Sequence, residues 1–274
     1  MSFKLPLSIV ASMILYSPVQ AQVSPKYYGP NALPVPEMIE GKVSSELYGE
    51  LAFDVYKGFY DDVTRTISAR LNIPLFTSRV NLSVWMPVVE FYTNTPESLV
   101  WQHSAKQKIK GYEIGNVYIS TDIQVLKQSG IKPDIVVRAA LITASGDSEE
   151  YARYYDAPGY FFDVSLSKSI GFSRGFFSCL RFTANGGFLC WQTGQSVQND
   201  AYMYGVKVRL NTRVFSVAMA WQGYNGWQDN GDRPMVLRAD MIFRAGHISP
   251  ILAYEYGIRD YPYHHFRIGL GCKF

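Results

Sequence analysis

The chain has 274 residues, 15% of them aromatic and only 18% charged, with 20 Tyr and 16 Phe, yet its mean hydropathy is −0.05. After the first residues no apolar run reaches the roughly 18 positions that a membrane helix needs, which excludes a helical membrane protein. A formal charge of +3 is too small for the electrostatic footprint of a nucleic-acid binder, and the three cysteines, Cys179, Cys190 and Cys272, read as small packing residues rather than a disulfide framework.

Lys4 precedes an apolar run from Leu5 to Tyr16, followed by Ser17, Pro18 and the small-residue site Val19-Gln20-Ala21. Charge, apolar core and small residues in that order predict a secretory signal peptide over 1–21, with no Cys after Ala21 to accept a lipid. Residues 22–45 carry Pro30, Pro34 and Pro36, which cannot donate to a sheet ladder, so this leader is expected outside the wall. Two placements are open, a periplasmic leader or a plug within the lumen. Residues 46–274 alternate in a way that predicts a single transmembrane, antiparallel, up-and-down β-barrel of about twelve strands.

The alternation runs in chain order. Leu47, Leu51, Phe53 and Val55 alternate with Tyr48, Glu50, Ala52, Asp54 and Tyr56. After Asp61-Asp62, Ile67, Leu71 and Ile73 alternate with Thr66, Ser68, Arg70 and Asn72. A tight Thr77-Ser78 turn leads into Val80 to Tyr92, with Val80, Leu82, Val84, Met86 and Val88 on one face. Beyond a long polar loop, Val117, Ile119 and Ile123 oppose Asn116, Ser120, Asp122 and Gln124, and Ile135 to Thr143 carries Arg138 on its polar face. Phe162, Val164 and Leu166 oppose Asp163, Ser165 and Ser167; Leu180, Phe182, Ala184 and Phe188 oppose Arg181, Thr183 and Asn185. Tyr202 to Leu210 sets Lys207 and Arg209 on its second face, Asn211-Thr212 turns, and Phe215 to Gln222 follows. Leu237, Met241 and Phe243 oppose Arg238 and Asp240; Leu252 and Tyr254 oppose Glu255; Phe266, Ile268 and Leu270 oppose His265 and Arg267.

An even strand number with both ends in the periplasm makes the connections at Thr77-Ser78, Lys127–Pro133, Gly171–Gly175, Asn211-Thr212 and Ala245-Gly246 periplasmic and short. Those at Thr93–Tyr112, Ser145–Gly159 and Gly223–Arg233 are external and longer. A secreted β-sandwich or propeller needs no such asymmetry. The chain stops at Phe274 on an outward position, which resembles the terminal-aromatic signal of outer-membrane barrels; the resemblance implies that the barrel-assembly machinery is a biogenesis partner and Phe274 its recognition residue.

A charge facing lipid at mid-bilayer costs about 2–4 kcal/mol for Arg or Lys, so the charged faces must line the lumen. The expected lumen-lining residues are Glu50, Asp54, Arg70, Asp122, Arg138, Asp163, Arg181, Lys207, Arg209, Arg238, Asp240, Glu255 and Arg267. Both signs are present, which suits a narrow polar conduit or a closed interior rather than a wide selective pore. The basic residues of neighbouring strands are expected to face Glu50, Asp54 and Glu255 across the barrel. External Lys106, Lys108 and Lys110 suit lipopolysaccharide phosphates or a solvated face, and Asp147, Glu149, Glu150 and Asp156 match no cation loop.

Gly115-Asn116-Val117, opening one strand, and Ser145-Gly146-Asp147, topping the next, resemble the outer-membrane barrel family found with aromatic-degradation (meta) pathways, in which a Gly-Asp-hydrophobic start is followed by a Pro/Ser-Gly-Asp loop. Here Asn116 stands in place of the family's Asp. The resemblance implies passive transport of small hydrophobic compounds and brings no catalytic residue.

The reading is therefore a passive outer-membrane channel for small solutes, with a structural or surface-interaction barrel of closed lumen as the alternative and a lipid-modifying enzyme third. An enzyme of that kind needs a Ser within reach of a His. His103 and His247 lie in connections, and His264-His265 sit beside Tyr254, Tyr256 and Tyr263, which reads as an interfacial girdle. No cofactor or metal is expected, and the partners are outer-membrane lipid and lipopolysaccharide, the assembly machinery and a small-molecule solute, with no nucleic acid.

Overall fold

The computed structural model describes residues 28–76, 78–102, 109–146, 153–154, 158–192 and 198–274. The signal segment, Thr77, His103, Lys106, Lys108 and the carboxylates Asp147, Glu149, Glu150 and Asp156 lie outside them.

Thirteen strands are present among the described residues. They are β1 (Tyr48–Gly58), β2 (Val63–Pro74), β3 (Val80–Thr93), β4 (Lys110–Glu113), β5 (Tyr118–Leu126), β6 (Asp134–Ile142), β7 (Gly159–Gly171), β8 (Phe177–Gln192), β9 (Gln198–Thr212), β10 (Phe215–Gly226), β11 (Met235–Phe243), β12 (Ile248–Arg259) and β13 (Tyr263–Lys273). Twelve of them close into an antiparallel barrel, consecutive strands paired except that β3 pairs with β5, and β1 with β13, while β4 pairs only with the far end of β3. Closure leaves no sheet edge, so every barrel strand has both its ladders filled. The seam between β1 and β13 runs unbroken from Tyr48 opposite Lys273 to Gly58 opposite Tyr263.

The two ends differ. One, the turn end, carries the connections 75–79, 127–133, 172–176, 213–214 and 244–247. The other, the loop end, carries 94–117 and 143–158, with β4 and a helix, α1 (Pro96–Trp101), that Thr95 caps by accepting from the Ser98 N–H at 3.1 Å. The strand after the Val208–Leu210 stretch runs on through Thr212, moving that turn from Asn211-Thr212 to 213–214, because the Thr212 hydroxyl accepts from the Val214 and Phe215 N–H groups and caps the turn itself.

Outward positions are apolar and exposed, among them Leu51, Phe53, Ile67, Phe162, Phe182, Val206, Met219, Ile268 and Leu270; the alternate positions are buried. One strand breaks the simple period. In β3 the pairing slips where Ile67 faces Val89 and Ser68 faces Pro87, so Val88 is an extra residue in a bulge. Proline has no N–H for the ladder, and Pro87 sits where the strand loses its pairing. Beyond the bulge the faces exchange: Phe91 points out, while Glu90 and Tyr92 point in.

The interior holds the leader. Residues 28–46 run from the loop end through the lumen to the turn end, where β1 begins, with Tyr28, Ala32, Val35 and Met38 buried on the way. Full burial of a Val or Met side chain is worth about 1.5–3 kcal/mol. Near the loop end Val35 joins a buried cluster of Tyr56, Tyr118, Phe161, Trp191, Tyr224, Tyr261 and Tyr263.

Candidate functional site: the barrel lumen

A proline-rich segment inside a barrel has no ladder of its own, so its carbonyls must be met one by one. Long lumenal donors do this. Tyr261 donates to the Pro30 carbonyl at 3.2 Å, Tyr224 to Leu33 at 3.3 Å, Arg238 to Val35 at 2.7 Å and Gln222 to Pro36 at 2.7 Å. Arg138 donates to the Glu37 carbonyl at 2.8 Å, Arg181 Nε to Glu40 at 2.9 Å and Gln124 to Gly41 at 3.2 Å. At Gly41 the backbone adopts φ +68° and lies so close to Ser167 that a Cβ would stand 2.6 Å from its hydroxyl, so only glycine fits.

The expected lumen residues are buried or half-buried, and most pair with a near neighbour on the wall. Arg138 forms a bidentate pair with Asp163 at 2.6 and 3.0 Å, Arg181 meets Asp134 at 2.9 Å, and Arg238 meets Glu255. Arg267 Nε and His265 Nε2 both meet Asp54 Oδ1, at 2.6 and 2.7 Å, and Arg209 meets Asp240 at 2.8 Å. Asp122 accepts from Ser83 and Ser120 at 3.2 Å, and Tyr48 donates to Glu50 at 2.9 Å. The charges therefore do not confront each other as two arcs across an open lumen. A lateral pair between neighbouring strands lets opposite charges touch, whereas the barrel's centre is occupied by the leader, and close contact is what a half-desolvated charge requires.

The leader contributes two carboxylates of its own. Glu37 pairs with Arg70 at 2.8 Å and with Arg267 at 3.2 Å; Glu40 pairs with Lys207 and with Arg209, each at 2.7 Å. On either side of the leader a cavity remains. One, of about 370 Å³, lies against β1 to β3, β5 to β8 and β13 and is lined by Lys42, Arg70, Asn72, Trp85, Asp122 and Arg267 among others. The second, of about 280 Å³, lies against β1, β2 and β9 to β13 and is lined by Met38, Lys207, Arg209, Arg238, Glu255 and His265 among others.

At the loop end a second network fixes the leader. Glu90 accepts from Arg153 Nε at 2.5 Å, Tyr154 Oη at 2.8 Å and Asn31 Nδ2 at 2.8 Å, and Arg153 reaches Thr64 at 2.7 Å and Asn94 at 3.1 Å. Burial and then the neighbouring Glu90 charge push the Tyr154 hydroxyl well above the usual tyrosine range, so it remains a donor. None of Glu90, Arg153, Asp134, Glu37 or Glu40 is among the lumen residues read from the sequence. Pro87 within a strand was the available signal for the bulge that turns Glu90 inward, and Asp134 continues the Arg138 face by two alternations.

The two histidines of the last strand part company. His264 packs outward against Phe59 and Tyr256 and its Nδ1 lies 2.8 Å from the Tyr254 hydroxyl. His265 does not belong to that girdle: as an alternate residue on β13 it faces inward, stacked on Tyr56 at 4.1 Å and bonded to Asp54. Among the described residues no group of three or more His, Cys, Asp or Glu is placed to hold a metal ion. The motifs Gly115-Asn116 and Ser145-Gly146 meet at the loop end, where the Gly146 N–H donates to Asn116 Oδ1 at 2.7 Å and the Val117 N–H to Ser145 Oγ at 3.0 Å.

No family model matches the sequence, and no curated protein matches it. Solved structures do. The chain is similar to the NanC porin, at 13% identity and TM-score 0.52 over 82% of this chain and 100% of that one. It is similar to an outer membrane channel from Pseudomonas putida F1, at 10% identity and TM-score 0.57 over 89% and 97%. It is also similar to the transport unit of the autotransporter AIDA-I from Escherichia coli, at 8% identity and TM-score 0.51 over 87% and 93%. At such identities the likeness concerns architecture alone: the chain has the closed β-barrel fold of outer-membrane channels and porins.

Proposed function

We propose that the chain is an outer-membrane channel that passes small solutes without chemistry, and that its own leader occupies the path. The observation that carries this reading is the pair of cavities flanking residues 28–46 inside a closed barrel. In this reading the turn end faces the periplasm, lipopolysaccharide surrounds the loop end, and Phe274 is presented to the assembly machinery. Phe274 is exposed, with its N–H donating to the Leu47 carbonyl at 3.0 Å. Hydrophobic cargo is the narrower form of the reading; the contact between Gly115-Asn116 and Ser145-Gly146 supports it, while the charged and amide lining of both cavities favours a polar passenger.

Planar-bilayer recording of the purified protein, whole and with residues 28–45 deleted, is the test. Discrete steps that grow on deletion are expected. Silence from both, in protein shown to be folded, would remove the channel reading and leave the closed structural barrel, which the hydrogen bonds of Asn31, Pro30 and Leu33 to the wall at the loop end favour.

A further inference from the structure

Glu37 and Glu40 sit where the wall has set out cations. Arg70, on β2, makes its ion pair with Glu37; Arg267, on β13, divides itself between Glu37 and Asp54. Lys207 and Arg209, both on β9, share Glu40 and Asp240. Without the leader these four cations would face Asp54, which His265 also uses, Asp240, and Glu50 at 3.8 Å from Arg267. Charges half removed from water need partners, and a guanidinium is shaped to take a carboxylate in a planar, two-pronged contact. The partners that the leader supplies are carboxylates, those of Glu37 and Glu40.

The cavities lie at the same cations. Glu37, Arg70 and Arg267 line both of them, and Lys207 and Arg209 line the second. Both reach Asn72 and the first also Lys42, at the turn end, so a solute inside it is already beside the Arg70 guanidinium.

We propose that the lumen is a carboxylate path, and that Glu37 and Glu40 stand in for the carboxylates of a small organic acid that competes for the same cations. The proposal rests on the channel reading and names its solute class. Exchange replaces one ion pair by another, so it asks little of the equilibrium between seated and displaced leader. A tethered group competes at an effective concentration of about millimolar for a short flexible link, so a free acid should act in the millimolar range.

The test is uptake into proteoliposomes of succinate and of uncharged erythritol. Replacing both leader carboxylates, E37Q/E40Q, is expected to raise succinate uptake roughly tenfold over the unaltered protein and erythritol uptake much less, since lumenal cations select anions. Adding R70Q/R209Q should abolish the succinate gain and spare erythritol. Equal gains for both solutes, indifferent to Arg70 and Arg209, would overturn the carboxylate path while leaving the channel. If no variant takes up either solute, the channel reading fails, and calorimetric titration of succinate into micellar E37Q/E40Q decides the site by itself. Binding lost with R70Q/R209Q keeps the site, and no binding overturns it. Heat-shifted gel mobility verifies folding, and the single variant E37Q, with R70Q as its control, replaces the double one if that does not assemble.

Discussion

Glu90 is fully buried and gives its two oxygens to three donors, of which Arg153 is the charged one. Removing one partner of such a pair strands the other charge and costs about 3–5 kcal/mol, whereas removing both costs less. Glu90→Gln is therefore expected to lower the thermal midpoint of the detergent-solubilised barrel, followed by circular dichroism, and Glu90→Gln with Arg153→Gln to recover part of the loss. A double variant as damaged as the sum of the singles would show that the two residues do not act as a pair. Neither was readable from periodicity. Alternation carried unbroken through β3 puts Val88 outward and gives Glu90 the same outward face, and one bulged residue at Pro87 reverses that. Arg153 belongs to a connection rather than a strand, so no period assigns it a face. Arg138, Asp163 and Arg181 were readable, because they sit in uninterrupted alternating stretches.

Single elements show why the wall was legible and the leader was not. A strand between an apolar exterior and a polar interior must alternate, and β8 does: Phe182 is exposed, and Thr183 is buried against Ser167 at 2.8 Å. The leader obeys no such period, since its side chains meet the lumen on all sides and its prolines only exclude it from the sheet. The same strand separates two consequences of adding a charge. Phe182→Arg puts the charge on the apolar band, at a cost of about 2–4 kcal/mol if it lies at mid-bilayer, and should reduce the heat-modifiable, assembled fraction. Thr183→Arg leaves the band intact but intrudes beside Ser167, on which Gly41 rests, so it should assemble and loosen the leader, seen as larger conductance. Equal loss of assembly in both would place β8 one residue out of register.

At the scale of the whole molecule, the two ends of the barrel are unequal, and the inequality assigns a direction. Both the start of β1 and the end of β13 lie at the turn end, where Tyr48 pairs with Lys273. In the proposed outer-membrane placement, an even strand number and short periplasmic turns would set that end inward and the loop end, with α1 and β4, toward the cell exterior. Val100 on α1 and Ile131 in the connection 127–133 are strongly exposed, 76% and 96%, and mark opposite ends. With Cys179, Cys190 and Cys272 replaced by Ser, Val100→Cys is expected to react with a membrane-impermeant maleimide on intact cells. Ile131→Cys should react only after the outer membrane is opened, since each position has a thiol free of burial and the barrier alone separates them. The reverse pattern would invert the barrel. Equal reaction of both on intact cells, with the chain recovered in the soluble fraction, would mean that the apolar outer band faces something other than lipid.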